Sequence, residues 1–280
     1  VRHRGEVIRD GQLLAKKGEI ITPALIAALA TGGNTTVKVF PRPSVSILVT
    51  GSELVQVGTK PERGQTVDSN GLMLSALAEQ DGLPVTSLDR AGDSLEKHKS
   101  ALSIACESAD LVVTSGGVSV GDYDFVARAI TESGGEILFH RVLLKPGKPI
   151  LAARIGDTWI IGLPGNPISA LVGWRLFVSP LAEMLMGCEG VFNRDSVLAE
   201  LTDTVTNKGK RPVFLQGNLF LRDNRLKVAD VSWKGSHDVV ASGKANTLLF
   251  LESKAEVKAG ESVLCYPNKW KELDYLMKND

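Results

Sequence analysis

The stretch Asp110-Leu111-Val112-Val113-Thr114-Ser115-Gly116-Gly117-Val118 decides the fold class of this chain. Its apolar and β-branched residues, Leu111 to Thr114, form the short run expected of a strand buried on both faces. The two glycines that follow predict a tight loop directly after this strand. A strand of this kind is typical of a parallel sheet that helices cover on both sides.

Strand and helix patterns alternate on either side of this stretch. A short apolar run ends at a glycine before it, and helical spacing of apolar residues follows each predicted strand. The predicted elements are strands at Ser46–Thr50, Val85–Leu88, Glu136–Leu144 and Thr158–Ile161, and helices at Asn70–Gln80, from Asp93-Ser94 to Cys106, Phe125–Ile130 and Ile168–Met186. The alternation predicts a doubly wound, mostly parallel α/β domain over residues 44–187.

The two ends of the chain have sequence patterns that differ from the alternating strands and helices of residues 44–187. After Gly187 come five short β-rich runs with turn residues between them, of which Asp223-Asn224 is the clearest turn. The runs are Val197–Val205, Val213–Leu221, Arg225–Val231, Thr247–Leu251 and Ser262–Tyr266. They predict a small β-barrel or sandwich over residues 188–280. Residues 1–43 are too few for an independent core, so we interpret them as the remnant of an N-terminal or linker domain.

Composition excludes several classes of protein. The 280 residues are 43% hydrophobic and 23% charged, which is typical of globular domains and not of disordered chains. Lys+Arg and Asp+Glu are both 32, and this balance argues against a general nucleic-acid binder. We expect no membrane span, because Arg175 interrupts the best apolar run, and no secretory leader at the charged start. Three separated cysteines indicate a reducing compartment such as the cytoplasm.

Three carboxylates follow different predicted strands. Glu53, Asp93 and Asp124 each lie in a loop at the carboxyl end of a strand, where ligands bind in open α/β sheets. Each one alone is most simply a helix cap or a solvated charge. Together at one edge they predict a site for Mg²⁺ or another divalent cation, which prefers oxygen ligands.

Glycines and lysines at the same edge favour an anion. The loop Ser115–Gly121 lets backbone N–H groups approach a phosphate closely, although it is neither a dinucleotide-binding nor a P-loop motif. Lys145 and Lys148 lie between prolines in a stiff segment. Asn166-Pro167 suits the start of a helix whatever else it does. The pattern predicts a phosphate or another oxyanion near these residues.

Nucleophilic catalysis of the Ser-His-Asp type is not indicated. Ser115 and Ser119 lack a neighbouring base in the sequence, and the four histidines show no zinc-ligand spacing. We expect His140 and His237 to be packing or surface residues.

Five motifs in order resemble those of the molybdopterin molybdenumtransferases, the group of MoeA and the gephyrin E domain. They are Thr50-Gly51-Ser52-Glu53-Leu54, Asp68-Ser69-Asn70, Ser115–Gly121 with Asp124, Lys145-Pro146-Gly147-Lys148-Pro149, and Leu163-Pro164-Gly165-Asn166-Pro167. The resemblance covers nearly the whole chain, since the β-rich tail is similar to the family's C-terminal barrel. It implies that the chain binds adenylylated molybdopterin and molybdate, inserts the metal and releases AMP.

The resemblance also implies roles for individual residues. Glu53, Asp93 and Asp124 would form the metal and substrate cluster, with Lys145 and Lys148 on molybdate or phosphate. The residues implied to contact the pterin substrate are Thr50, Gly51, Ser115, Gly116, Gly117, Ser119, Gly121, Pro164, Asn166 and Pro167. It further implies a divalent cation such as Mg²⁺, a homodimer, and neither nucleic acid nor membrane as a partner.

Two departures from the family keep alternatives open. Ser52 stands where the family usually has Asp, and residues 1–43 match only the end of the family's N-terminal region. One alternative is a non-catalytic molybdopterin-binding or scaffold module, which would bind pterin without inserting metal. Another is a molybdopterin adenylyltransferase, which would consume ATP. The β-rich tail favours the molybdenum-inserting transferase.

Overall fold

A computed structural model describes residues 3–92, 94–118, 125–188 and 196–268. The strands up to residue 187 are β1 (Val45–Thr50), β2 (Leu54–Val55), β3 (Thr66–Val67), β4 (Val85–Ala91), β5 (Leu111–Ser115), β6 (Glu136–His140), β7 (Leu151–Ile155) and β8 (Thr158–Leu163). The helices there are α1 (Pro23–Thr31), α2 (Asn70–Gln80), α3 (Leu95–Ser108), α4 (Phe125–Glu132), α5 (Pro167–Gly173) and α6 (Ser179–Leu185), with a π-helical turn at Trp174–Val178.

Six strands form the main sheet in the order β4-β1-β5-β8-β7-β6. The first four strands in this order, β4, β1, β5 and β8, are parallel to one another, which confirms the predicted mostly parallel sheet. Strand β7 was not predicted, and it runs antiparallel to both of its neighbours. It reaches β8 through the two-residue turn Gly156-Asp157, in which Gly156 has a φ of +56°. Glycine at such a turn is a hairpin signal.

The sheet has a hydrophobic core on each face. On one face, Leu74 of α2 and Ile168 of α5 pack with alternate residues of β1 and β5. On the other face, Leu102 of α3 and Ile130 of α4 pack against the intervening residues, such as Val112. Successive residues of a strand point to opposite faces, so a strand covered on both sides must be apolar throughout. Burial on both faces therefore explains the uninterrupted apolar runs in the sequence.

The predicted helix Ile168–Met186 is a continuous helical run, but its middle is π-helical. Pro180 has no backbone N–H and cannot complete the α-helical ladder, which explains the wider turn before it. The Ser179 N–H bonds to the carbonyl of Trp174, five residues back. By length and composition the run Pro167–Leu185 would suit a membrane span despite Arg175. Half of its most apolar window is buried inside the protein, as in the core helix of a globular domain.

Strand β6 is shorter than predicted. The sequence predicted a strand from Glu136 to Leu144, but β6 ends at His140 because Arg141 has a φ of +76°. Left-handed backbone of this kind turns the chain out of the sheet. The chain then crosses to the C-terminal region, where the Lys145 N–H donates to Pro212 O at 3.0 Å and the Phe214 N–H donates to Lys145 O at 2.8 Å.

The C-terminal region is a closed barrel in the order β11-β12-β9-β15-β13, which confirms the predicted barrel. Its elements are β9 (Val197–Leu201), β10 (Val205–Thr206), β11 (Val213–Arg222), β12 (Arg225–Asp230), α7 (Val239–Lys244), β13 (Thr247–Leu251), β14 (Glu256–Val257) and β15 (Ser262–Pro267). The predicted strand Val197–Val205 is two strands, because β10 pairs with β14 outside the barrel. Asp223 and Asn224 both have positive φ, as the tight β11–β12 hairpin requires. The domain boundaries predicted at residues 44 and 188 stay predictions.

Asp110 anchors the start of β5 and makes stability depend on pH. Its carboxylate accepts the Ser44 N–H at 2.8 Å and the Ser44 hydroxyl at 2.7 Å, and these bonds, the backbone one first, hold the pKa of Asp110 below its usual range. Asp110→Asn is expected to lower the free energy of unfolding at pH 7 by about 1 kcal/mol, since solvent screens the exposed site.

A depressed carboxyl pKa stabilises the fold above the unfolded value, near 4, and this contribution is lost as pH falls through the folded value. The difference between Asp110→Asn and the parent chain should therefore shrink between pH 7 and about pH 3 in urea unfolding. Asp89→Asn, at an exposed carboxylate on β4, controls for the change in surface charge. A difference that is the same at both pH values would contradict the assignment.

Candidate functional site

The carboxyl ends of the central strands lie side by side. Val49 of β1 pairs with Ser115 of β5, and Ser115 pairs with Leu163 of β8. Parallel strands in this register bring the loops that follow them to one edge of the sheet. A cavity of about 740 Å³ opens at that edge. Its lining includes Thr50, Glu53, Asp68, Ser69, Asn70, Ser115, Asn166, Pro167 and His237.

The glycine-rich loop after β5 packs backbone against backbone. The Gly116 N–H donates to Leu163 O at 2.9 Å, and Gly116 has a φ of +91°. A Cβ atom at Gly116 would lie 2.7 Å from both the carbonyl oxygen and the Oγ1 of Thr50. Gly117 also has a positive φ, +65°. No larger residue fits at position 116 without movement of the loop, so glycine here determines the shape of the cavity edge.

Two carboxylates line the described part of the cavity. The Glu53 side chain folds over Gly51, where a Cβ atom would lie 2.7 Å from Glu53 Oε1. Asp68 is already engaged, because it accepts the Gly71 N–H at 3.0 Å and lies 3.7 Å from Arg90 Nη2. No such cation or donor engages the Glu53 carboxylate within the described ranges. Of the two carboxylates in the described part of the cavity lining, Glu53 is therefore the one whose oxygens are available to a ligand.

The predicted metal cluster is described only in part. Asp93 and Asp124 lie outside the described residues, so their distance to Glu53 stays a prediction. Among the residues that the structure does describe, no three His, Cys, Asp or Glu side chains converge as a metal site. The carboxylate of Glu53 has the chemistry of a ligand for a hard cation. Asp93 and Asp124 stay predicted ligands.

The two predicted lysines lie on the segment that joins the sheet to the barrel. Lys145 and Lys148 are both exposed. The backbone of Lys145 forms a bridge to Val213 of β11, and the Val142 N–H donates to Lys148 O at 2.9 Å. Neither lysine is part of the cavity lining described above. Long lysine side chains on a fixed backbone present mobile ammonium groups to an anion.

The structure brings together five of the predicted site residues. Those that line the cavity are Thr50, Glu53, Ser115, Asn166 and Pro167. Gly51, Gly116, Gly117 and Pro164 are neighbours of these residues in the chain and shape the loops behind them. Four predicted site residues lie outside the described part of the chain, namely Asp93, Ser119, Gly121 and Asp124. Their placement at the cavity stays a prediction.

The barrel region contributes a residue that the sequence reasoning missed. His237, expected to be a packing or surface residue, is exposed and lines the cavity. Its loop is held against the sheet domain, since the Ile168 N–H at the start of α5 donates to Ser236 O at 3.0 Å. The backbone N–H groups of Lys234 and Ala241 bind Asp238 and hold its pKa below the usual range, which fixes the other end of the loop.

Two protein families match this chain. Residues 46–183 match the family described as "Probable molybdopterin binding domain". Residues 199–267 match the family described as "MoeA C-terminal region (domain IV)". The first match contains the sheet and the loops of the cavity, and the second contains the barrel and His237. Both families therefore contribute residues to this one site.

Named relatives and solved structures agree with these matches. The chain is 35% identical over 261 residues to the molybdopterin molybdenumtransferase of Staphylococcus aureus (strain COL), covering 93% of this chain and 62% of the relative. It is 34% identical over 269 residues to that of Haemophilus influenzae, covering 95% and 66%. A molybdopterin biosynthesis MoeA structure from Pyrococcus horikoshii aligns with a TM-score of 0.77 at 31% identity, covering 95% and 64%. The chain thus spans slightly less than two thirds of the length of each of these proteins.

Proposed function

The chain belongs to the molybdopterin molybdenumtransferase family, and we propose that it acts in molybdenum cofactor biosynthesis by inserting molybdate into adenylylated molybdopterin with release of AMP. The observation that carries the proposal is the cavity where the Thr50, Ser115 and Asn166 loops meet. The barrel over residues 199–267 favours this reaction over adenylylation of molybdopterin, because its match is to MoeA.

The cavity has the donors that an anionic pterin substrate needs. The Ser115 hydroxyl lines the cavity and keeps its proton for a ligand, because its oxygen accepts a hydrogen bond from Asn70 Nδ2. Among the described residues the Gly117 N–H has no acceptor, whereas the Gly116 N–H is bonded to Leu163 O and the Thr50 hydroxyl to Ser115 O. Groups fixed before the ligand arrives stabilise developing charge without reorganising during the reaction. We assign these residues to the pterin phosphate, and Lys145 and Lys148 to molybdate or phosphate. Pro164 and Pro167 stiffen the loop around Asn166.

We propose that a divalent cation such as Mg²⁺ binds at the acidic side of the cavity. Glu53 would hold it, with Asp93 and Asp124 as the proposed additional ligands, and the bound cation would neutralise charge on the departing phosphate. The role of Glu53 itself is to keep a carboxylate beside the substrate. Ser52 adds no second charge next to it, so the cation site depends on Glu53 from this loop.

We further propose a homodimer in the cytoplasm, with neither nucleic acid nor membrane as a partner. The three cysteines, all within the described residues, are free thiols, which suits a reducing compartment. Burial raises the pKa of the Cys265 thiol to about 12 and keeps it protonated and unreactive. Light scattering that finds only monomer would count against the dimer.

Cation-dependent metal insertion tests the function. We expect formation of molybdenum cofactor from adenylylated molybdopterin and molybdate to require Mg²⁺, and Glu53→Gln to lower the rate about tenfold or more at fixed Mg²⁺. Part of this loss should return at high Mg²⁺, since the amide oxygen is a weaker ligand. Asp124→Ala tests the second proposed ligand in the same assay.

Glu136→Gln is the matched control, because Glu136 is an exposed carboxylate at the start of β6. It should leave the rate and the Mg²⁺ requirement unchanged. Pterin binding without AMP release would support the scaffold alternative, and ATP consumption with free molybdopterin would support the adenylyltransferase. A chain that binds no adenylylated molybdopterin would overturn the proposed function.

A further inference from the structure

Asn70 joins two loops of the cavity that come from different strands. It is the first residue of α2 and its side chain is buried, with 7% of the residue exposed. Its Nδ2 donates to Ser115 Oγ at 2.8 Å and to Gly165 O at 2.8 Å. Ser115 ends β5, and Gly165 lies in the loop between β8 and α5. One amide therefore fixes the distance between the two loops.

The chemistry of its partners determines which way the Asn70 amide faces. The carbonyl oxygen of Gly165 can only accept a hydrogen bond, so the amide nitrogen must face it. The Asn70 Oδ1 atom is then left buried and without a partner in the described part of the chain. A buried acceptor without a partner lowers the stability of the fold and offsets part of what the two donated bonds contribute. Their effect on the Gly165 peptide is the more specific consequence.

The bond to Gly165 orients the next backbone donor. A trans peptide is planar, so when the Gly165 carbonyl points at Asn70, the N–H of Asn166 points the opposite way. No acceptor for the Asn166 N–H lies within the described ranges. Residue 166 lines the cavity, and its side chain makes no capping bond to α5. The Asn166 N–H is thus a donor held in one orientation, on a residue that lines the cavity, with no hydrogen-bond partner among the described residues.

We propose that Asn70 is a positioning residue that holds the Gly165–Asn166 peptide so that the Asn166 N–H binds an anionic oxygen of the substrate. The inference rests on the proposed function, since it names adenylylated molybdopterin as the ligand of this cavity. Asn70 does not touch the ligand in this arrangement. It acts through the peptide, and loss of its amide allows that peptide to rotate.

The test compares Asn70 with a buried asparagine elsewhere whose amide nitrogen also donates two hydrogen bonds. Asn207 in the barrel is 5% exposed, and its Nδ2 donates to the carbonyl oxygens of Arg211 and Glu252, both at 2.8 Å. It is not part of the cavity lining described above. Asn207→Ala removes two donated bonds and a buried amide, together with the bond that its Oδ1 accepts from the Gly209 N–H at 3.0 Å, at a distance from the site. It is therefore at least as disruptive to the fold as Asn70→Ala.

Calorimetric titration with adenylylated molybdopterin is the measurement, together with KM and kcat in the insertion assay. Asn70→Ala and the isosteric Asn70→Asp should raise Kd and KM about 10- to 100-fold, with a smaller change in kcat. Asn207→Ala should leave Kd within about twofold while lowering the unfolding midpoint. Ligand binding should also protect the Asn166 N–H of the parent chain from hydrogen exchange, because the proposed bond uses that hydrogen.

Each outcome decides a different question. If the parent chain does not bind the ligand, the proposed function fails. If the parent chain binds and the folded Asn70 variants bind equally well, the positioning role is overturned and the function stands. An Asn207→Ala variant that loses as much affinity would show general destabilisation and would overturn the positioning role. If both Asn70 variants fail to fold, protection of the Asn166 N–H from hydrogen exchange by the ligand supports the proposal, and unchanged exchange overturns it.

Discussion

Gly116→Ala is expected to weaken binding of adenylylated molybdopterin about 100-fold while the chain still folds. The φ of +91° at Gly116 is unfavourable for alanine and adds strain of about 1–3 kcal/mol. The added Cβ would also lie 2.7 Å from the backbone carbonyl of Thr50, which cannot move without shifting β1. The loop must therefore be displaced away from Thr50. Calorimetric titration and urea unfolding measure the two effects.

Gly134→Ala separates backbone strain from displacement of the loop. Gly134 has a φ of +77°, and no atom lies within 4 Å of the position that its Cβ would occupy. This variant should lose stability by a similar strain energy and keep the Kd of the parent chain. If Gly116→Ala binds the ligand with unchanged affinity, the glycine-rich loop does not form the binding site.

Trp174→Ala is expected to lower the free energy of unfolding by about 3–5 kcal/mol. Trp174 is fully buried in the core on the α2 face of the sheet, at the start of the π-helical turn. Its Nε1 donates to Asp81 Oδ2 at 2.8 Å, and Ser179 Oγ donates to the same oxygen. The substitution removes a large apolar volume and one donor to a carboxylate at the end of α2. The shift in urea midpoint measures the loss.

Trp174→Phe keeps most of the apolar volume and removes the donated bond. It should lower the free energy of unfolding by about 1–3 kcal/mol, less than alanine does. The difference between the two variants reports the contribution of packing alone. If phenylalanine and alanine were equally destabilising, the bond to Asp81 and not the volume would account for the effect of Trp174.

The parts of the fold that the sequence predicts well are those with a strong local signal. Helix α2 begins and ends at the predicted residues, Asn70 and Gln80, because Gly82 follows a helical pattern. Strand β5 follows from an apolar run that only burial on both faces explains. The barrel strands follow from turn residues such as Asp223-Asn224, which tolerate positive φ.

The elements that were missed or misjudged depend on contacts distant in sequence. Strand β7 contains Arg154 and was hidden by the longer apolar runs around it, although Gly156-Asp157 marks its hairpin. Strand β6 ends early because Arg141 adopts a left-handed backbone conformation, which arginine rarely adopts and propensity does not predict. The strand predicted up to Val205 divides because β10 pairs with β14, more than 50 residues away.

The sequence predicts which loops form the candidate site, but not the hydrogen bonds and the domain contact that hold these loops together. Placing Thr50, Ser115 and Asn166 together required only the rule that ligands bind at the carboxyl edge of a parallel sheet. Asn70 was part of a motif, yet its bonds to Ser115 and Gly165 exist only once α2 has packed against β1, β4 and α5. His237 gave no local signal, because its place depends on how the barrel docks onto α5.

The docking of the barrel onto the sheet has a consequence for how this protein tolerates mutation. The contacts at Lys145 with Pro212 and Phe214, and at Ile168 with Ser236, are made by main-chain atoms. Every amino acid supplies the same carbonyl group, and every one except proline supplies the same N–H group. Other positions along this seam are constrained by their side chains, since Phe214 and Leu248 of the barrel pack in the same core as Ile168, and Arg211 Nη1 donates to Leu144 O at 2.8 Å. Exposed positions such as Lys145 can therefore vary in sequence while their main-chain bonds keep the two halves of the cavity aligned.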